Sequence, residues 1–461
     1  MSETAAAPVR GDRPGGRWSS PTLLDDVLRL AAVERAAAHV AAGWVVKVGE
    51  LDPKLELGAA VEAHLARAVA LRNHALALLE RDDEGLTARA GWVEPLRRLD
   101  SDGDAATVTA ALTGAVPAFL ARGYAELGAG LDPLYDARLS STVQEAVTAL
   151  AGPAARATAD PGGLAAALAA AGADDESPRV ALDDVAWGPG DRVPFPARPA
   201  GRSRPPAGTR GHFAWNSRLL DGEVAGELND NVMAELCAME LLSRCSYEHP
   251  DEAWSFHLSL ARHISDEARH AAMFRRLLVD RGLDESTQVQ HGANYEWAYE
   301  FPECEVGGKR ELMWRILVMC TVLEALAIDK LPVEIATRDW LDQPDIARAL
   351  DYIATDELFH TENGLRLTRQ LSERYGFDPM LDRERAHGRF FGRQRDERLR
   401  YLAEDDERAA YEIARGEGPD PDGMPFRSRT EVELRRRAGF THDECLQVDR
   451  WGYNLPLEPS A

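Results

Sequence analysis

Two short stretches of this chain repeat one pattern. Ser265-Asp266-Glu267-Ala268-Arg269-His270 and Thr355-Asp356-Glu357-Leu358-Phe359-His360 both read Asp-Glu-x-x-His, and the copies lie 90 residues apart. Glu and His three positions apart share one side of a helix, a turn from each other, so a carboxylate oxygen and an imidazole nitrogen can hold the same metal ion. A single pair of this kind arises by chance in charged helices and is then only a solvated contact. Two copies, each preceded by Asp, point to a dinuclear centre.

A carboxylate-bridged pair of ions in a four-helix bundle takes one further Glu from each of the other two helices. Glu235, in MAELCAME, stands 32 residues before Glu267, and Glu324, in CTVLEAL, stands 33 before Glu357. Glu…Asp-Glu-x-x-His therefore occurs twice with nearly the same pitch. Glu324 is the one charged residue between Ile316 and Ile328, where an ionised carboxylate would be costly to bury without a cation. Glu240 rivals Glu235 but lies only 27 residues before Glu267 and off the same face. The candidate ligand and catalytic set is Glu235, Glu267, His270, Glu324, Glu357 and His360. His263 shares a helix face with Glu267 and His270 and is either a further ligand or an outer histidine. Asp266 and Asp356 are placed to accept the second ring N–H of a ligand histidine, with Arg269 and Arg366 as partners for those carboxylates. Thr321 hydrogen-bonds either beside the centre or to its own helix. Cys320 lines the centre or, more simply, fills the core.

Hard carboxylate oxygens with imidazoles suit iron or manganese, and zinc would not need so symmetric a box. Four carboxylates neutralise two divalent ions, and a reduced pair of irons can react with molecular oxygen.

The ligands must be carried by long helices. Apolar residues recur at helical spacing over 22–48, 55–79, 105–128 and 139–151, predicting an N-terminal bundle within 21–180. Its Glu62, His64 and His74 lack ligand spacing, so no metal is expected there. A Pro/Gly/Arg-rich linker follows over 181–215. Four further helices are expected at 222–247, 251–281, 308–339 and 344–375, within a domain spanning 216–380. A last helix over 383–415, a short one near 430–438 and an irregular tail complete the 381–461 region. Residues 1–20 read as a disordered tail.

The region 222–375 resembles the ferritin-like carboxylate di-iron superfamily, and is most similar to the bacterial group that includes the tRNA-modifying di-iron hydroxylases. The segments MAELCAME and LEALAIDKLPV resemble its first and third helices, and DEARH and DELFH its paired motifs. The resemblance covers about a third of the chain. It implies an all-α fold, a ferritin-like four-helix bundle beside a second helical bundle at the N-terminus, and the same six ligands. His263 departs from the family pattern, which has an apolar residue there; a third histidine is similar to what di-iron arylamine N-oxygenases use, though on their fourth helix. The N-terminal segment around Lys54-Leu55-Glu56-Leu57-Gly58 looks like a degenerate domain of the same kind, suited to packing or to a homodimer contact.

Composition limits the functions available. The 461 residues are 45% hydrophobic and 28% charged with a net charge of −24, which suits a soluble globular protein and disfavours nucleic acid or anionic lipid as partner. Five cysteines without CxxC spacing read as reduced thiols in a cytoplasmic protein. No secretory signal or membrane span is expected. No phosphate loop or dinucleotide fingerprint stands out, so electrons must come from an external donor or reductase. The expected activity is O2-dependent hydroxylation or N-oxygenation of a small organic substrate at two irons. Iron oxidation or storage, peroxide scavenging and a non-catalytic, metal-stabilised partner protein are the alternatives.

Overall fold

A computed structural model describes residues 20–79, 85–132, 134, 136–156, 163–173, 176–188, 197, 224–282, 308–383, 385–386 and 431–445. The fold is all-α: 85% of the chain described is helical and 2% is strand. Two compact units divide it, one comprising Met1–Trp44, Ala60–Gly190 and Pro250–Trp254, the other Val45–Ala59, Asp191–His249 and Ser255–Ala461.

The first unit is built on α1 (Ser20–Lys47, as far as Trp44) and α2 (Leu51–Leu79, from Ala60). It continues through α3 (Glu94–Asp102) and α4 (Ala105–Ala110), which runs through a π-helical segment (Ala111–Ala115) into α5 (Val116–Gly130). Helices α6 (Ala137–Arg156) and α7 (Leu164–Gly172) complete it. The strands β1 (Thr87–Arg89) and β2 (Arg179–Ala181) pair antiparallel, Thr87 opposite Ala181. Asp104 starts α4 by accepting the Thr107 N–H at 2.7 Å. From Leu30 to Trp44 every residue of α1 is buried, because small residues (Ala31, Ala32, Ala36, Ala37, Ala41, Ala42) let neighbours close around it. Its Glu34 is buried, and its carboxylate accepts two N–H groups of Arg67 (2.6 and 3.0 Å) and the Tyr124 hydroxyl (2.9 Å), with His64 Nδ1 alongside. Among the described residues, only Ala105–Gly130 is long and apolar enough to cross a membrane; its Val108, Leu112, Val116, Leu120 and Tyr124 are buried against the rest of the protein.

The second unit holds α8 (Val224–Glu248), α9 (Trp254–Asp280, from Ser255), α10 (Lys309–Ile316), a π segment (Leu317–Leu323), α11 (Glu324–Trp340) and α12 (Pro344–Tyr375). Short connections make α8/α9 and α11/α12 antiparallel neighbours. Across α9 and α12, Ser259 meets Asn363, Asp266 meets His360 and Arg269 meets Asp356, so these helices are antiparallel too. α9 and α11 therefore run the same way. Pro344 opens α12, and Gly376 closes it in the left-handed conformation (φ 75°), its N–H bonded to the Ser372 carbonyl at 2.8 Å. The start of α2 belongs here as well. Its Lys54 forms a buried ion pair with Glu240, and a Cβ on Gly58 would lie 2.6 Å from Met239 Sδ and 3.1 Å from Ala268 Cβ. Helix α13 (Val432–Arg437) is fixed to α11 by Arg435, whose guanidinium donates to Asp329 at 2.6 Å. Arg383, the first residue of the helix expected over 383–415, is buried and donates to Glu444 at 2.8 Å, a carboxylate partner that offsets the cost of burying its charge.

Eight helices expected at 22–48, 55–79, 105–128, 139–151, 222–247, 251–281, 308–339 and 344–375 appear within a few residues of those bounds. The expected tail 1–20 lies almost wholly, and the linker 181–215 and the helix 383–415 largely, outside the described residues.

Candidate metal centre

α8, α9, α11 and α12 each turn one or more of the singled-out side chains to a common point. Glu267 is at the middle. Its Oε1 lies 2.8 Å from His263 Nε2 and 3.2 Å from His360 Nδ1, while its Oε2 lies 3.3 Å from His270 Nδ1. Glu357 spans the same two sides, with Oε1 3.7 Å from His270 Nδ1 and Oε2 3.4 Å from His360 Nδ1. Glu324 reaches His263 Nε2 at 3.4 Å, and Glu235 reaches His270 Nδ1 at 3.7 Å. The donor atoms fall into two groups, His263/Glu267/Glu324/His360 and Glu235/Glu267/His270/Glu357, and within each group all lie within 4.8 Å of one another. All six predicted ligands are thus brought together, and His263 joins them. Among the described residues no other such group occurs.

The outer contacts cross between the two motifs. His270 Nε2 lies 3.1 Å from Asp356, and His360 Nε2 lies 3.3 Å from Asp266. Arg269 donates to both aspartates, at 2.8 and 2.7 Å. Each Asp therefore directs the opposite motif's histidine, so that Nδ1 faces inward. Arg366 does not join them; it donates to Ser259 Oγ at 2.7 Å and to Asn363, because its helix turn points toward the far end of α9. In the second motif Phe359 stands where the first has Arg269, and the Arg262 guanidinium lies 3.8 Å over its ring.

Two other expectations resolve locally. The Thr321 hydroxyl donates to the Leu317 carbonyl at 2.7 Å and makes no hydrogen bond to the cluster; inside the π segment it satisfies a backbone acceptor. Cys320 is buried with its Sγ 3.9 Å from His263 Nδ1. A Cβ on Gly364 would come within 2.0 Å of the Cys320 Cβ. Glycine there lets the π segment lie against α12 and sets Glu324 beside Glu357 and His360. Sequence offered only a weak signal for this contact, an isolated Gly inside a strongly helical pattern. It gave none for the π segment. Glu240, the rival to Glu235, is absent from the cluster because Lys54 takes its carboxylate.

Seven buried donor atoms of the cluster have no aligned hydrogen-bond partner: His263 Nε2, both Glu267 oxygens, His270 Nδ1, Glu324 Oε1, Glu357 Oε2 and His360 Nδ1. Their close approaches are misdirected for hydrogen bonds, and unsatisfied polar atoms at this depth are costly. A cation facing each of the two donor groups would satisfy the set, so the residues fit a pair of divalent ions. The charges agree. Burial and the nearby Glu267 push Glu235 up to about 8, and burial with Glu324 and Glu267 pushes Glu357 well above the usual range. Burial would raise Glu267 also, but His360, His263 and His270 outweigh it and hold that carboxyl well below normal. Burial and His360 disfavour charge on His263, yet Cys320, Glu267 and Glu324 carry it up to about 10. His360 rises to about 9 against its burial, through Glu267 and Asp266. Without metal ions, protons hold this excess of carboxylate together.

Comparison with family models, curated proteins and solved structures gives no match. What the chain itself shows is a helical protein with carboxylate and histidine clusters suited to metal.

Proposed function

We propose that the second unit is a ferritin-like four-helix bundle holding two iron ions, and that the protein is an O2-dependent oxygenase that hydroxylates or N-oxygenates a small organic molecule. One observation carries this reading: two Asp-Glu-x-x-His turns on antiparallel helices present all their donors, with Glu235 and Glu324, to one buried point. The parallel course of α9 and α11 between antiparallel neighbours supports a ferritin-like bundle. Manganese would suit the same donors.

When bound, two ferrous ions supply electrons and Lewis acidity for reaction with O2. The chain's own residues do the rest. Glu267 and Glu357, each with one oxygen toward His270 and the other toward His360, would hold the ions. Asp356 and Asp266 hold the Nε2 protons of His270 and His360, keeping Nδ1 available as donor. The burial of Glu267, His270, His263 and His360 excludes water from the core of the site. Glu235, the most exposed of the seven at 16%, marks the side from which a small molecule reaches it. In such a reaction one oxygen atom of O2 would enter the substrate and the other would leave as water, with two electrons from a separate donor and two protons from solvent.

In the first unit the Glu34–Arg67 pair has the same 33-residue spacing as Glu324 and Glu357, and a π segment likewise interrupts the third long helix. We read that unit as a bundle of the same kind in which the Arg67 guanidinium supplies the cation, leaving a packing role.

The test is oxygen uptake by protein loaded anaerobically with Fe(II). Rapid uptake in the wild type that is lost in Glu267→Ala supports the oxygenase reading and opens a substrate search. Stoichiometric iron with no reaction toward O2 would overturn it.

A further inference from the structure

We propose that the two metal positions are unequal: the one bearing His263 fills first and is closed by protein donors, while the one bearing Glu235 fills second and stays open to outside ligands. The inference rests on the dinuclear reading above. On the inner side stand two imidazoles, His263 Nε2 and His360 Nδ1, with Glu324 Oε1 and Glu267 Oε1. On the outer side stands one imidazole, His270 Nδ1, with Glu235 Oε2, Glu267 Oε2 and Glu357 Oε1.

His263 is fixed as a donor from two directions. Its ring stacks on His360 with centroids 3.6 Å apart and planes 18° from parallel. Its Nδ1 lies 3.9 Å from Cys320 Sγ, which leaves Nε2 toward Glu267 and Glu324. No inner side chain is more than 7% exposed, whereas Glu235 on the outer side is 16% exposed. A second imidazole adds a preorganised ligand without adding charge, and a position walled by buried donors has fewer places for water. Metal sites divide by the same logic, protein-closed positions being structural and open ones receiving substrate. The inner ion therefore anchors, and the outer ion exchanges ligands.

Titration of the metal-free, full-length protein with Co(II), followed by its visible absorption, tests this. Losing an outer-shell partner of a ligand costs about 10- to 100-fold in metal affinity, and losing the ligand itself costs no less. The wild type is expected to bind Co(II) in two steps, the first at least about tenfold tighter. His263→Ala should abolish the tight step; Glu235→Ala should abolish the weak step and keep the tight one. A single class of equal sites in the wild type would overturn the inference, as would a tight step surviving in folded His263→Ala. Should His263→Ala fail to fold, Glu235→Ala decides alone, loss of its tight step being contradictory. A wild type that binds no Co(II) at all would overturn the dinuclear reading itself.

Discussion

Glu267 is the side chain on which both sides of the centre depend, since one of its oxygens faces His263 and His360 and the other faces His270. Protons and metal compete for the groups around it. Glu235 sits at about 8, His360 at about 9 and His263 at about 10. All three are raised, so each holds its proton at neutral pH and gives it up only as pH climbs through these values. Ligation requires the deprotonated forms, so metal uptake should release protons and strengthen between about pH 6 and about pH 8. Mixing metal with weakly buffered protein and a pH indicator should show acidification; equal affinity across that range would contradict this. Asp356, held down at about 2 chiefly by His270 and Arg269 against its burial, keeps the His270 ring oriented. Asp356→Asn should weaken metal binding by about 10- to 100-fold with little loss of helicity, read by metal titration and circular dichroism.

At the level of the elements, the centre depends on a π segment pressed against a glycine. Alanine at 364 would bring its Cβ within 2.0 Å of the Cys320 Cβ, which is tied to backbone and has no flexible end to move. Gly364→Ala should cost about 1–3 kcal/mol through overpacking. Its melting temperature should fall and its metal affinity with it; a fully stable variant with normal binding would show that the helices do not meet as described. The long helices were legible because their apolar residues keep a helical period, and the six clustered side chains because two Asp-Glu-x-x-His motifs and two Glu residues share a pitch. Other contacts were hidden because nothing local marks them. The Lys54–Glu240 pair joins residues 186 apart, and Arg383 binds Glu444 61 residues on. Both look like ordinary surface charges until tertiary packing buries them. The crossing of each Asp to the other motif's histidine likewise depends on helix register, which spacing within one helix does not give.

Across the molecule, both helical units bury carboxylates that call for a cation. In the first, Arg67 answers Glu34. Removing that guanidinium leaves Glu34 buried with a neutral-leaning His64, whose pKa burial lowers despite Glu34. Arg67→Ala should therefore destabilise the protein by about 3–5 kcal/mol, read as a lower melting temperature, while metal content stays at the wild-type value. A changed metal content would contradict the division of roles. On the proposed reading, the second unit takes its cations from solution, as a pair sharing Glu267 and Glu357. The most direct measurement is electron paramagnetic resonance of full-length protein loaded with Mn(II). Two ions per chain and the spectrum of a spin-coupled pair, lost in Glu267→Ala, are expected; the spectrum of isolated ions at full loading would contradict the shared centre.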